Sequence, residues 1–247
     1  MIEVRDLKKS FGSHKILDGV TLRIETGESV VIIGRSGGGK SILLKHLIGL
    51  LKPDSGEVRV DDENIVPMEE RELLRVRGKF GMLFQSAALF DSMTVAENVG
   101  FALLRRKTPA AEVRQKVAEA LELVDLPGTE NKKPSELSGG MRKRVGLARA
   151  IVYQPQFVLY DEPTTGLDPI VSDSIDKLIL RVRDRFKVTS VVVTHDMRSA
   201  RCVGQRILML HDKKIYAAGT PDEIFNSKDP IVRQFIEGVS DPKQIDF

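Results

Sequence analysis

Residues 28–51 read ESVVIIGRSGGGKSILLKHLIGLL, three different patterns joined end to end. The run VVII is apolar without interruption, which is typical of a strand covered on both faces of a parallel sheet. A glycine-rich loop follows, and SILLKHLIGLL is then apolar at helical spacing. The stretch therefore predicts a buried strand, a tight loop and a helix, which together favour an α/β fold.

The loop itself matches a phosphate-binding motif. Residues 34–41 read GRSGGGKS and fit the pattern G-x-x-x-x-G-K-[ST]. In such a loop, backbone N–H groups point at phosphate oxygens, and the next helix adds its positive N-terminal end. Lys40 then reaches the β- and γ-phosphates of ATP, while the Ser41 hydroxyl ligates Mg²⁺. A plain glycine turn is the alternative, but its place between a buried strand and a helix favours a nucleotide. The residues expected to contact it are Gly34, Arg35, Ser36, Gly37, Gly38, Gly39, Lys40, Ser41 and Ile42.

A second apolar run ends in two acidic residues that such a site requires. In FVLYDEP, residues 157–163, Asp161 and Glu162 end a predicted buried strand. Phosphoryl transfer needs a carboxylate near the metal and a group that positions the attacking water. We expect Asp161 to hold Mg²⁺ through its water shell and Glu162 to polarise that water. Glu162 alone would also suit an ordinary strand end, but the PTTGLD that follows favours catalysis.

The composition is that of an ordinary globular protein. Of 247 residues, 41% are apolar and 30% are charged, and the formal net charge is +3. Charges of both signs are interspersed, and residues 142–144 form the one tight basic cluster, which argues against nucleic acid as a partner. We interpret that cluster as a solvated helix face, with lipid headgroup contact as the weaker alternative. Cys202 has no second cysteine to pair with, so we expect a reducing compartment and a small buried side chain.

No segment of the sequence resembles a targeting signal or a membrane helix. The opening MIEVRDLKKSF alternates like a strand. No apolar run approaches the roughly 18 residues that a membrane helix needs. We therefore expect a protein that is soluble by itself and reaches a membrane only through a partner.

The other patterns divide the chain into regions. Alternating strands with turns predict an antiparallel flank near the start, and KFGMLFQ, QFVLYDEP and VTSVVVTHD predict further buried parallel strands. Residues about 90–150 are mostly helical in pattern. The hairpin RILMLHDKKIYAAG and a short amphipathic helix follow, the helix lying in a tail of about residues 229–247.

These regions predict an α/β fold. Its centre is a P-loop NTPase core, mainly a parallel sheet with flanking helices, to which an antiparallel β subdomain and an inserted helical lobe are added. We expect residues 1–247 to form a single domain.

A second glycine-rich helix start lies in LSGGMRKRVGLARAI, residues 137–151. Ser138 offers a hydroxyl, and Gly139 and Gly140 expose backbone N–H groups, as a second anion-binding helix would require. The nucleotide loop already has its own helix. The simplest interpretation is that Ser138 of one copy closes over the ATP of another, in a twofold homodimer.

Together these motifs closely resemble the ATP-binding cassette ATPases, over nearly the whole chain. The resemblance implies that Phe11 stacks on adenine and that Gln85 reaches the metal and the attacking water. It implies that Asp168 crosses the dimer interface and that His195 contacts the γ-phosphate. Met141 departs from the family signature, which commonly has glutamine there, but the phosphate-facing groups remain, so we expect hydrolysis to survive.

Within the family, the motifs resemble those of the Mla-type phospholipid transport ATPases. That resemblance implies ATP hydrolysis on the cytoplasmic face of the inner membrane, bound to a permease. It also implies a small cytoplasmic regulatory subunit in some members and an envelope lipid-binding subunit. An ABC ATPase for another cargo, a non-transport ABC ATPase, and a P-loop kinase or GTPase are the alternatives.

The surface that faces the permease is expected in SAALFDSMTVAENVGFALL, residues 86–104. Its apolar residues Leu89, Phe90 and Met93 suit a groove for a short permease helix. Packing inside the helical lobe is an equally good interpretation of the same residues.

Overall fold

The computed structural model describes residues 1–239 of the chain, and the end of the tail, 240–247, lies outside them. The strands, in chain order, are β1 (Ile2–Phe11), β2 (His14–Ile24), β3 (Ser29–Ile33), β4 (Ser55–Val60), β5 (Glu63–Asn64), β6 (Phe80–Leu83), β7 (Phe157–Asp161), β8 (Thr189–Val193), β9 (Arg206–His211) and β10 (Lys214–Gly219). The helices are α1 (Lys40–Leu47), α2 (Glu70–Arg77), α3 (Val95–Arg105), α4 (Ala110–Leu123), α5 (Gly139–Ile151), α6 (Pro169–Phe186), α7 (Met197–Val203), α8 (Pro221–Phe225) and α9 (Pro230–Glu237).

The main sheet has the strand order β10-β9-β3-β8-β7-β6 within the described residues. All of its pairs are parallel except β9 with β10, which form the predicted hairpin. Every residue of β3, β7 and β8 is buried, as their mostly apolar sequences predict. The carboxyl ends of the parallel strands therefore meet at one edge, where such sheets bind ligands.

Two apolar cores cover the two faces of this sheet. Along β3, Val31 and Ile33 face a core shared with the helical lobe, whereas Val30 and Ile32 face a core shared with the second sheet. That second sheet is antiparallel, in the order β2-β1-β4-β5, and is the predicted antiparallel subdomain. Alternate residues of β3 therefore pack into the two cores, and this packing fixes the position of the loop that follows β3.

The predicted helical lobe contains α3, α4 and α5, which pack on one another. Gly100 permits the close approach of α3 and α4, because a Cβ there would lie 3.0 Å from the Val113 side chain. The lobe core also includes Val117, Leu121 and Val145. Because apolar residues further along α5 pack in this core, they fix the orientation of the helix and of its N-terminus.

The sequence patterns missed or misplaced several features. The long helix α6 and the shorter α2, α7 and α8 were not predicted. Cys202 is exposed on α7, so the expectation of a buried side chain is wrong. The basic cluster is also not a uniformly solvated face, since Arg142 is exposed but Lys143 is buried. Successive residues of an α-helix are rotated by about 100° around its axis, so three adjacent basic side chains cannot all be equally exposed.

Membrane-spanning helices are absent from residues 1–239, where no helix is both long and apolar enough to cross a bilayer.

A buried carboxyl joins α6 to α7. Asp176 is 3% exposed, and its Oδ2 accepts a hydrogen bond from Ser199 Oγ at 2.8 Å. Its other oxygen, Oδ1, has no hydrogen-bond partner within the described part of the chain. Burial raises the pKa of Asp176 to about 6, and the Ser199 hydrogen bond opposes this only in part. Burial therefore shifts the balance toward the protonated carboxyl, which predominates only below about pH 6.

We expect Asp176→Asn to stabilise the fold more at pH 8 than at pH 5. A carboxyl with a raised folded-state pKa contributes stability at low pH, and that stability is lost as pH rises through the folded pKa, here about 6. Asparagine does not titrate, so the free energy of unfolding gained should be about 1 kcal/mol larger at pH 8. Urea unfolding of both proteins at the two pH values measures this difference.

The matched control is Asp173→Asn on the same helix. There the hydrogen bond from Lys177 lowers the pKa of the carboxyl, so the substitution should not gain stability as pH rises. An equal effect of Asp176→Asn at both pH values would contradict the raised pKa.

Candidate nucleotide site

The loop 34–41 runs from the end of β3 to the start of α1, as its motif predicts. Glycine is required at both ends of it. A Cβ at Gly34 would lie 2.5 Å from the Leu210 carbonyl oxygen of β9. Gly39 has φ 97°, and a Cβ there would crowd the side chains of Ile16 and Leu17 at 3.0 Å. The backbone is thereby held close to its neighbours, and the Gly38 N–H donates to the Arg35 carbonyl oxygen at 3.0 Å within the loop.

Lys40 is folded back over this loop. Its side chain is 5% exposed, and its Nζ donates to the carbonyl oxygens of Gly34 at 2.9 Å and Arg35 at 3.1 Å. The same ammonium lies 3.5 Å from Oε1 of Glu162. A buried cation is thus placed between the loop and the acidic end of β7.

Ser41 and Asp161 are brought together. The Ser41 hydroxyl donates to Asp161 Oδ1 at 2.7 Å, across 120 residues of sequence. These are the hard oxygen groups that Mg²⁺ prefers, and the ion usually keeps several waters and binds substrate phosphates as well. Residues 1–239 contain no cluster of three or more acidic, histidine or cysteine side chains that would hold a metal alone. The pair therefore fits a magnesium ion that arrives with a nucleotide.

Glu162 is held by polar contacts to its side chain and has an unusual backbone conformation. It is 7% exposed, and its Oε2 bonds to His195 Nδ1 at 2.8 Å and accepts from Thr165 Oγ1 at 3.0 Å. Its φ is 50°, in the left-handed region that residues other than glycine rarely adopt. The His195 side chain is half exposed, so the pair reaches from the interior to the surface.

Lys143, on α5, contacts the backbone of Glu162. Its Nζ donates to the Glu162 carbonyl oxygen at 3.0 Å, and its side chain is buried. Burial lowers the pKa of Lys143, while the charges of Asp161 and Glu162 oppose that shift. Sequence patterns found neither this contact nor the one from Thr165, and no local signal marks either residue.

A shallow cavity of about 390 Å³ lies beside the loop. His211 at the end of β9 and Lys213 in the turn that follows line it, and the sequence patterns did not connect either residue with the site. Phe11, the expected adenine contact, lies at the end of β1 with its ring 47% exposed. The Lys9 ammonium is 5.4 Å from the centre of that ring.

Three further expected site residues are exposed, and no hydrogen bond joins them to this cluster within residues 1–239. Ser138 begins α5, where its Oγ accepts from Met141 N at 3.2 Å, and Gly139 and Gly140 form the first turn. Asp168 begins α6, where its Oδ1 accepts from the N–H groups of residues 170 and 171 at 3.0 Å. Gln85 is exposed just after β6. Lys40, Ser41, Asp161, Glu162 and His195 are thus gathered at one point, whereas Ser138, Asp168 and Gln85 face outward.

Comparisons with known proteins agree with this architecture. The sequence model of the ABC transporter family matches residues 17–165. The probable ribonucleotide transport ATP-binding protein mkl of Mycobacterium leprae is 45% identical over 96% of this chain and 69% of its own length. The intermembrane phospholipid transport system ATP-binding protein MlaF of Haemophilus influenzae is 41% identical over 98% of this chain and 92% of its own.

A solved structure gives the same result. The ATP-binding cassette MJ0796, in a dimeric post-hydrolysis state bound to ADP and Pi, is 34% identical with a TM-score of 0.83. The match covers 90% of this chain and 99% of that one. The resemblance inferred from the motifs is therefore confirmed, and this chain belongs to the ABC transporter family as an ATP-binding, ATP-hydrolysing subunit.

Proposed function

We propose that this chain hydrolyses ATP to drive phospholipid transport across a cell envelope, as one half of a homodimer that encloses two ATP molecules. The observation that supports the chemistry most directly is the cluster in which Lys40, Glu162 and His195 surround the end of the phosphate loop. The transport assignment has separate support, from the similarity to MlaF along almost all of both chains.

In the proposed mechanism, Glu162 polarises the water that attacks the γ-phosphate. Its carboxylate is directed by His195 and Thr165, so it needs little reorganisation before the reaction. Lys40 exchanges its loop carbonyl partners for phosphate oxygens, which are charged and therefore stronger acceptors. That exchange also frees the Glu162 carboxylate from its nearest cation.

Residues around the loop complete the proposed site. Backbone N–H groups of residues 34–41 bind the phosphates, and the exposed ring of Phe11 stacks on adenine. Mg²⁺, when bound, neutralises charge that develops on the β- and γ-phosphates, and Ser41, Asp161 and Gln85 are the residues that would hold it.

The second copy is proposed to close each site. Ser138, Gly139 and Gly140 form an exposed helix start with no acidic residue in the first turn, which suits an anion from outside the chain. Asp168 lies at the start of α6 and is exposed beside Ile170, whose side chain is 83% exposed. The similar cassette MJ0796 is a dimer, which is consistent with this arrangement.

A groove near Gln85 is proposed to receive the permease. It has a volume of about 480 Å³ and is mostly apolar, with Phe84, Phe90, Phe101 and Tyr153 in its wall. Arg149 lies over the Phe90 ring and donates to the carbonyl oxygens of residues 87 and 88, which fixes the floor. Of the other candidates in this segment, Leu89 packs against the core instead. A short amphipathic helix fits such a groove.

Relatives of similar identity are named for different cargoes. One is named for ribonucleotide transport and another for phospholipid transport. We favour phospholipid because this chain covers 92% of MlaF but 69% of mkl. The proposed location is the cytoplasmic face of an inner membrane, with a small regulatory subunit and a lipid-binding envelope subunit as further partners. Another cargo is the alternative.

Glu162→Gln should bind ATP and dimerise but hydrolyse ATP about 10²–10⁴-fold more slowly, because it loses the group that polarises water. Phosphate release measures the rate, and size-exclusion chromatography with ATP measures dimerisation. Glu122→Gln, an exposed change on α4, is the matched control. Normal turnover by Glu162→Gln would remove Glu162 from the mechanism.

Lys40→Ala should lose most of the thermal stabilisation that ATP gives to the unchanged protein. A ligand that binds only the folded state stabilises it in proportion to the logarithm of its concentration over Kd, so weaker binding gives a smaller melting shift. Lys177→Ala, at a lysine 69% exposed on α6, should keep the full shift. Equal shifts in the two variants would contradict the role assigned to Lys40.

Purification of the tagged chain from gently solubilised membranes of its own host should bring down a permease, an envelope lipid-binding subunit and phospholipid. Phe90→Ser should weaken the association through the groove, while Tyr216→Ser should not. Both side chains are 43% exposed, but Tyr216 lies on β10, at the opposite edge of the sheet from β6. A permease without phospholipid would overturn the cargo and leave the ATPase assignment intact.

A further inference from the structure

We propose that Lys143 is a positioning residue for Glu162, and that it ties the catalytic glutamate to the start of α5 in the same chain. The inference rests on the proposed function, since it assumes that Glu162 acts on the attacking water. Lys143 itself touches only the backbone of that residue, through its 3.0 Å hydrogen bond to the Glu162 carbonyl oxygen.

The burial of Lys143 is the first observation. Lys143 lies on the second turn of α5 and is 5% exposed. The buried residues around it on α5 are mostly apolar and belong to the helical lobe. Enclosing an ammonium group is costly unless it is paired and hydrogen-bonded. An apolar residue would pack this position at lower cost, so the lysine is explained by what its Nζ holds.

The backbone of Glu162 is the second observation. Its φ of 50° lies in the left-handed region, a conformation that costs free energy for a residue with a side chain. Three contacts hold it there: its N–H donates to Val193 O at 2.9 Å, and its carbonyl oxygen accepts from Thr165 N at 3.3 Å and from Lys143 Nζ. Lys143 supplies the one contact among these that comes from the helical lobe.

The consequence is a mechanical link between two nucleotide sites. Ser138 and Lys143 are five residues apart on one continuous helix, so they move together. In the proposed dimer, Ser138 contacts the ATP of the second copy, while Lys143 contacts the Glu162 of its own. Occupancy of one site is thereby transmitted to the catalytic carboxylate of the other through α5.

The test compares Lys143→Met with Lys143→Arg in the full chain. Methionine keeps the length and apolar stem but has no donor, so kcat should fall about 10-fold, the usual effect of losing one hydrogen bond to a charged donor. KM for ATP and the ATP-dependent melting shift should stay within about two-fold, since Lys143 lies outside the phosphate loop. Arginine keeps a charged donor and should restore most of kcat. Lys177→Met is the matched control and should be unchanged.

A double variant separates this proposal from the proposed function. In a Glu162→Gln background, Lys143→Met should cause no further loss of the residual rate, because both changes act through one group. An additional 10-fold loss there would overturn the positioning role while Glu162 keeps its own. Normal turnover by Glu162→Gln alone would instead overturn the proposed function.

Three further outcomes decide the inference. Unchanged kcat in Lys143→Met, or equal losses in kcat and in ATP binding, would overturn it. If Lys143→Met does not fold, Lys143→Gln keeps a neutral donor on a shorter side chain and must show the same split, a lower kcat at unchanged KM. A Lys143→Gln protein with normal kcat would then overturn the proposal.

Discussion

The parallel register of β3, β8 and β7 is the constraint on which the nucleotide site depends. Ile32 pairs with Val193, and Val193 pairs with Asp161, so three strand ends lie side by side. Any slip of one residue would turn every side chain of a strand to the other face. Since both faces are closed by separate apolar cores, no such slip is tolerated. The loop 34–41, Glu162 and His195 are therefore placed by packing that is remote from the chemistry.

Much of this arrangement could be predicted from sequence because its signals are local. The uninterrupted run before Gly34 marks a strand buried on both faces, and the same holds for the run that ends at Asp161. Polar residues directly after such runs must lie at one edge of a parallel sheet. The proximity of Ser41 to Asp161 follows from that rule without any knowledge of side-chain positions.

The features that sequence patterns missed depend on contacts between distant segments. Lys143 is flanked by two arginines, and only the packing of α5 on β6 and on the lobe shows that it alone of the three points inward. His211, the last residue of β9, lies beside the loop because β9 pairs with β3, a pairing that no local pattern encodes. Helix α6 is different, since Asp168 at the N-cap and Pro169 at the first helical position are a local signal for a helix start.

In the proposed dimer, the exposed helix start at Ser138 serves two partners, its own helix and an anion of the second copy, and its hydroxyl chemistry permits both. Its Oγ accepts a hydrogen bond from Met141 N, which leaves the hydroxyl proton available for donation to an anion. Residue 141 takes part in this cap through its backbone N–H, so methionine supports the helix start as well as glutamine would. The departure from the family signature therefore leaves the groups proposed to face phosphate unchanged, and any effect of Met141 must come from its side chain, which packs against the lobe core.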